Sequence, residues 1–393
     1  MNRKWVQIIC LVFLLLLGAA VIQVEAALIT VDDDGAGNFS SIQEAVDNTQ
    51  DGDTILVNPG IYRENVEVYR ELAIVADSSL SGDDGNRTYV IGNVPEYDVF
   101  YVNASNVTID GFYITGGPSD MEWYEVGIYL EGAENCLLIN NTLVLNDAGI
   151  GLNNSEGNYL ENNNVALGYR GIDLFASEEN TLSNNLVLTN RQGIVLQGSV
   201  NNTLKNNTAS SNEVGFVLFS SGGNVLANNQ VSKNECGIYG QMAESNALLN
   251  NVIYLNGVGL HLNESENNMI YANSFYNFRN AVDEGFNIWN DSVGNFWGDY
   301  SGEDANGDGI GDLPYSINGS TGSIDYKPIV PQPSSGDSEN MSSISGVEVS
   351  LANKVDKKDK VDKENKGDIP PIDDTEYFKI NNVLFIFKDN KFL

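Results

Sequence analysis

Gly149-Ile150-Gly151-Leu152, Gly171-Ile172-Asp173-Leu174, Gly193-Ile194-Val195-Leu196 and Gly215-Phe216-Val217-Leu218 follow one another at intervals of 22 residues. The same phase starts at Gly127 and runs on through Gly237 to Gly259 without slippage, with Gly240 in place of one leucine. Asparagine keeps step in two further series, Asn141, Asn163, Asn185, Asn207, Asn229, Asn251, Asn273 and Asn158, Asn180, Asn202, Asn224, Asn246, Asn268. Two residues after the second series stand Leu160, Leu182, Leu204, Leu226, Leu248 and Ile270. A fixed period of this length marks a solenoid, whose units bury their apolar faces only against their neighbours.

Inside each unit the apolar residues alternate in bursts of two or three, and Asn or Gly ends every burst. Alternation of period two means strand, with one face buried and one exposed. No unit leaves room for an amphipathic helix, which excludes a leucine-rich-repeat horseshoe. The repeat therefore predicts an all-β chain, a right-handed parallel β-helix of 22-residue coils. Neighbouring coils lie about 4.8 Å apart in such a solenoid, so about ten of them make a rod roughly 50 Å long.

Asn tolerates the left-handed backbone of a sharp bend, and stacked amides hydrogen-bond from coil to coil, so the Asn series are structural. The repeated Gly marks a bend or a close approach of backbone. Cys136 occupies an Asn phase, whereas Cys236 lies at another phase more than four coils away. That is roughly 20 Å by the coil spacing, too far for a disulfide.

A solenoid must cover its open ends. Ser40-Ser41-Ile42-Gln43-Glu44-Ala45-Val46 reads as a capping box opening a short amphipathic helix over the first coil. Asp51-Gly52-Asp53 and Asn58-Pro59-Gly60 read as turns around a strand at Thr54 to Val57. An excess of residues around Pro118 to Glu125 predicts a protruding loop. Near the other end, Asp304, Asn306 and Asp308 place side-chain oxygens at alternate positions, with Gly309 for the sharp turn. With the Ile310 carbonyl and Asp312 they form a candidate calcium loop, although Tyr315 stands where an EF-hand loop has its bidentate Glu.

The flanks set the organisation. Arg3 and Lys4, the apolar stretch Val6 to Leu17 and Val24-Glu25-Ala26 read as a signal peptide over 1–26. The stretch is short of the roughly 20 residues that a membrane span needs. The β-helix with its caps is assigned to 27–330, a Ser-, Gly-, Asp- and Lys-rich disordered linker to 331–368, and a tail of no assigned role to 369–393. Formal net charge is -34. A field of that sign repels nucleic acid and anionic lipid, and polyanionic polysaccharides as well unless divalent cations intervene. The chain is expected to be secreted, at the cell surface or in a periplasm, with no membrane span once the leader is removed. Twelve Asn-x-Ser/Thr sequons, among them Asn86, Asn103, Asn201, Asn263 and Asn290, permit glycosylation of an exported chain.

Three stretches together resemble a known family. Ile29 to Gly35, Ser41 to Val46 and Gly60 to Val66 resemble the N-terminal cap of pectin-lyase-like β-helices. Asn-x-Leu-x-Asn-Asn with Gly-Ile-x-Leu resembles the NosD-like parallel β-helix repeat. Trp289 to Tyr300 followed by Asp304 to Asp312 resembles the closing segment of NosD-like surface proteins. The resemblance implies a fold shared by carbohydrate-binding proteins, polysaccharide lyases, epimerases and glycosidases. It also implies periplasmic copper binding linked to nitrous oxide reductase maturation. Beyond the leader the residues argue against copper: one histidine, His261, two distant cysteines, and Met121, Met242, Met269 and Met341 scattered along the chain.

Three functions then compete. A scaffold that binds a polysaccharide or cell-envelope glycan uses the outward residues of the long strand. One outward row reads Tyr129, Gly151, Asp173, Val195, Val217, Tyr239, His261, Asp283, and the next Glu131, Asn153, Phe175, Gln197, Phe219, Gln241, Asn263. Tyr129, Asp173, Phe175, Phe219, Tyr239 and His261 are its candidate contacts, since ring faces suit apolar sugar faces and polar groups bond hydroxyls. A purely structural or adhesive rod, meeting other surface proteins, needs none of them. A lyase or epimerase would use Arg170, Asp173 and Arg191 around a proton-abstracting base, and a glycosidase would pair Asp173 with Glu178 or Glu179.

Overall fold

The computed structural model describes residues 26–80, 87–116 and 125–330, and the backbone of three strands near the C-terminus. The signal peptide, nearly all of the Pro118 to Glu125 loop and the linker lie outside the described residues. Every coil of the central region carries three parallel strands. The long one recurs as Val126–Glu131, Ala148–Asn153, Arg170–Phe175, Gln192–Gln197, Val214–Phe219 and Cys236–Gln241. The two short ones are Thr181–Ser183 and Leu186–Leu188 in the coil of Arg170. Pairing is in register at 22 residues, as in Ile172 with Ile194 and Leu182 with Leu204. The second short strands form a sheet of eleven, one from each turn of the rod. The result is the parallel β-helix that the period predicts.

Each coil of the central region turns at four corners, and one rule governs them all. In the coil of Arg170 the corner residues are Ala176, Glu179, Asn184 and Thr189, with φ of 45°, 56°, 56° and 57°. The next residue at each corner, Ser177, Asn180, Asn185 and Asn190, points inward and is buried. Each of these binds its counterpart one coil on. Asn180 donates its backbone N–H (2.9 Å) and its Nδ2 (3.1 Å) to Asn202 Oδ1, and Nδ2 also reaches the Ser155 carbonyl at 3.0 Å. Ser177 N–H donates to Ser199 Oγ at 3.1 Å. The two roles expected of one asparagine are therefore divided between neighbours: the left-handed residue bends the chain, and the ladder residue after it ties the coils. Besides the two Asn series read from sequence there is a third, Asn190, Asn212, Asn234 and Asn256, and a serine series at Ser155, Ser177, Ser199 and Ser221.

Buried Ile, Leu, Val and Phe fill the space between the ladders in one continuous core. The repeated Gly is a close approach. A Cβ on Gly215 would stand 2.5 Å from the Gly237 carbonyl oxygen, so no side chain fits. Strand pairing passes over this residue, joining Arg170 to Gln192 and Ile172 to Ile194.

The helix Ile42–Asp47 closes the first coil with Ile42, Ala45 and Val46 fully buried. Ser41 Oγ caps it by accepting the Glu44 N–H at 3.1 Å, and the Glu64 carboxylate accepts from Ile42 and Gln43 N–H. At the far end Phe275, Trp297 and Tyr315 stack with ring centroids 4.7 and 4.2 Å apart. Asp283 corrects the sequence reading: it is buried, not outward. His261 pairs with Val282 and Leu262 with Asp283, because the last coil is one residue shorter. The Asp283 carboxylate accepts from Trp289 Nε1, Ser323 Oγ and Asn287 Nδ2. The tail holds a three-stranded antiparallel sheet of Thr375–Ile380, Val383–Lys388 and Lys391–Phe392. Among the described residues, Cys136 and Cys236 are free thiols.

Candidate binding groove

The close approach at the repeated Gly has a consequence on the outside of the rod. The residue before each Gly joins the outward rows of the long strand. Arg170, Gln192, Val214, Cys236 and Val258 line one side of a groove of about 450 Å³. Val195, Val217, Tyr239 and His261 line its centre, and Gln197 and Phe219 the other side. The first of these rows is absent from the sequence reading except for Arg170. Its signal was there, since a Gly that lets backbones touch also re-aims its neighbour.

Of the candidate carbohydrate contacts, Phe219, Tyr239 and His261 line the groove. Phe175 stands in register with Gln197 on the same face and is 53% exposed, and Phe219 is 41% exposed. Tyr239 and His261 meet edge to face at 5.5 Å, and His261 Nε2 lies 3.4 Å from Glu284 Oε2. Tyr129 sits apart, packed on Tyr101 with ring centroids 6.0 Å apart. Burial, then Glu131, raise its phenol well above the usual range.

Asp173 is largely buried and saturated. Its Oδ2 accepts from Arg170 Nη1 at 2.5 Å and its Oδ1 from Gln197 Nε2 at 3.1 Å. Arg170 Nε reaches Gln192 Oε1 at 3.3 Å, so four side chains form one chain of bonds across two adjacent coils. Arg191 binds Glu213 at 3.0 Å instead and lies over the Tyr169 ring, as Arg170 does. Arg170, Asp173 and Arg191 are thus brought near one another, but each arginine holds its own carboxylate. Glu178 lies beyond the Ala176 corner, bridged to Glu156 and Val200, and the structure gives it no bond to Asp173.

The C-terminal loop folds on bonds from its own backbone to its side chains. The Asp304 carboxylate accepts from Gly307 and Gly309 N–H at 2.8 Å and from Asp308 N–H at 3.2 Å. Asp308 Oδ1 accepts from Ile310 N–H, Asp308 N–H donates to Asn306 Oδ1, and Asp312 Oδ2 accepts from Ala305 N–H. Among the described residues, no group of three or more His, Cys, Asp or Glu is placed to hold a metal. No helix among them is long and apolar enough to cross a membrane.

A many-coiled parallel β-helix with an open groove along its long strands defines a solenoid protein of the pectin-lyase type. The model of the NosD family, described as a periplasmic copper-binding protein, matches residues 46–166 and 103–302, and the chain belongs to that family. A cell surface glycoprotein of Methanothermus fervidus is 36% identical over 108 residues, which span 27% of this chain and 16% of that protein. The A-module of a mannuronan C-5 epimerase from Azotobacter vinelandii superposes at a TM-score of 0.51 with 14% identity, covering 65% of this chain and 80% of the module. A polygalacturonase from Erwinia carotovora gives 0.51 at 11% identity, covering 69% and 95%. At such identities these two share the fold alone.

The groove does not fit copper. His261 and Cys236 both line it, but one imidazole and one buried thiol, whose burial disfavours the thiolate, make a sparse donor set for copper. Cys236 Sγ donates to the Ile238 carbonyl at 3.5 Å, and His261 faces Glu284. The nearest methionine in sequence, Met242, is an exposed corner residue with φ of 51°.

Proposed function

We propose that this protein is a β-helix scaffold displayed outside the cytoplasm, which binds an extended carbohydrate chain along the groove. The groove carries this reading. It runs across five coils of one face, with half-buried Val214 and Val258 and exposed Phe219 in its lining for apolar sugar faces, exposed Phe175 on the same face, and Gln192 and Gln197 for hydroxyls. The periplasmic description of the family and the cell-surface name of the Methanothermus relative support the location. The test is a polysaccharide array with the mature protein beside a Phe175→Ala/Phe219→Ala variant. Binding by the native protein that the variant loses at least tenfold is expected. Folded protein that retains no glycan at all would leave a purely structural rod.

We propose further that the loop from Asp304 to Asp312 takes calcium. Asp304, Asn306, Asp308, the Ile310 carbonyl and Asp312 stand at the alternate positions a calcium loop uses, and Gly309 has the φ of 85° that its turn needs. Calcium should raise the thermal midpoint reversibly against a chelator, and Asp304→Asn should remove the rise. An equal midpoint in both buffers would exclude the site.

A further inference from the structure

We infer that the groove selects an uncharged polysaccharide and rejects polyuronates, an inference that rests on the carbohydrate reading above. The whole chain carries -34, yet basic groups gather at the groove. Arg170 and His261 line it, and Arg191 adjoins Arg170 across Tyr169. Such a cluster on an acidic protein invites a reading as a receptor for carboxylated sugars. The bonding pattern says otherwise.

Each of these groups already faces an anion of the chain: Arg170 with Asp173 at 2.5 Å, Arg191 with Glu213 at 3.0 Å, and His261 with Glu284 at 3.4 Å. Asp173 is additionally held by Gln197, and the Arg170 guanidinium by Gln192. A uronate carboxylate that takes Arg170 must share the guanidinium with Asp173 or displace it, and displacement leaves that largely buried carboxylate without its cation, which is strongly unfavourable. It must also approach through the field of a strongly acidic molecule. A neutral chain meets neither cost. Val214 and Val258, both half-buried, offer it aliphatic surface, with the buried Val195 and Val217 packed in the floor. With both arginines already paired, the groove offers an entering carboxylate little cationic attraction on an acidic rod.

The experiment titrates the mature protein calorimetrically with neutral glucan and mannan oligosaccharides and with oligogalacturonate and oligomannuronate of equal length. Asp173→Asn, nearly isosteric, is titrated in parallel after circular dichroism confirms its fold. At least tenfold tighter binding of a neutral oligosaccharide is expected, with a rise of about tenfold in uronate affinity when Asp173→Asn leaves Arg170 without its anion. Uronates that bind the native protein as tightly as neutral sugars would overturn the selectivity and leave the carbohydrate reading standing. A variant without the gain would overturn the pairing argument. Binding of neither class would remove both readings.

Discussion

The interior ladders and the outward groove use the same coils, the same spacing and many of the same residue types, yet they differ in what repetition means. Inside, Asn180, Asn202 and Asn224 are interchangeable rungs, each accepting from the rung before and donating to the rung after. Outside, the row that contains Asp173 continues through Val195, Val217 and Tyr239 to His261. Neither its charge nor its size repeats. Period preserved is the signature of the scaffold, and period broken is where a ligand can be recognised.

The comparison is broken most severely from the inside. Asn202→Ala removes the acceptor of Asn180 N–H and Nδ2 and a donor to the Ser177 and Val200 carbonyls and to Asn224 Oδ1. Buried groups left unpaired cost about 1–3 kcal/mol each, and two or more are stranded, so a loss of roughly 3–5 kcal/mol is expected in chemical denaturation. Phe219→Ala, by contrast, removes a side chain on the outer face and should change stability by only about 0.5 kcal/mol. Equal effects from the two substitutions would show that the groove face is structural and not a site.

The same contrast explains what the sequence made legible. Gly127 to Gly259 and the Asn series announce themselves because each rung faces an identical neighbour, so selection for the fold writes the same letter in every coil. From them follow the coil length and the in-register pairing, while the capping box at Ser41 is legible in its own motif. The groove is written in residues that do not repeat, so only its strand positions were readable. Phe219, Tyr239 and His261 follow from strand alternation, but Cys236 and Val258 do not, because alternation alone puts the residue before Gly indoors. Asp283 was misplaced for a related reason. The last coil drops one residue before it, and a shift of one reverses which face a side chain occupies. The bonds that engage Arg170 and Arg191 join different positions of the coil, and no spacing rule foretells them.

A subtler way to sharpen the comparison lies where the ladders have not yet settled into their period. Glu125 opens the first regular long strand, between Asp98 of the coil before and Asp147 of the coil after. Asp147 Oδ2 accepts its backbone N–H at 3.2 Å, and Asp98 Oδ1 accepts the Val126 N–H at 2.9 Å. The side chain is buried, and its Oε1 has no hydrogen-bond partner among the described residues. Burial, and then Asp147 and Asp98, raise the Glu125 carboxyl to about 8; burial raises Asp98 to about 6. Between the ordinary carboxylate range and about pH 8 the folded chain therefore holds more protons than the unfolded one, and stability falls as pH rises through that window. The thermal midpoint should decline by a few degrees, on the order expected for about 1 kcal/mol, from about pH 5 to about pH 8.5. Glu125→Gln, which cannot ionise, should flatten the upper half of the decline and leave the lower half, where Asp98 and the buried Asp325 still titrate upward of their usual range. A ladder rung such as Asn180 has no proton to lose, so its coils should show no such slope in local amide exchange. A decline that persists unchanged in Glu125→Gln would mean that the general acidity of the rod, and not this junction, sets its response to pH.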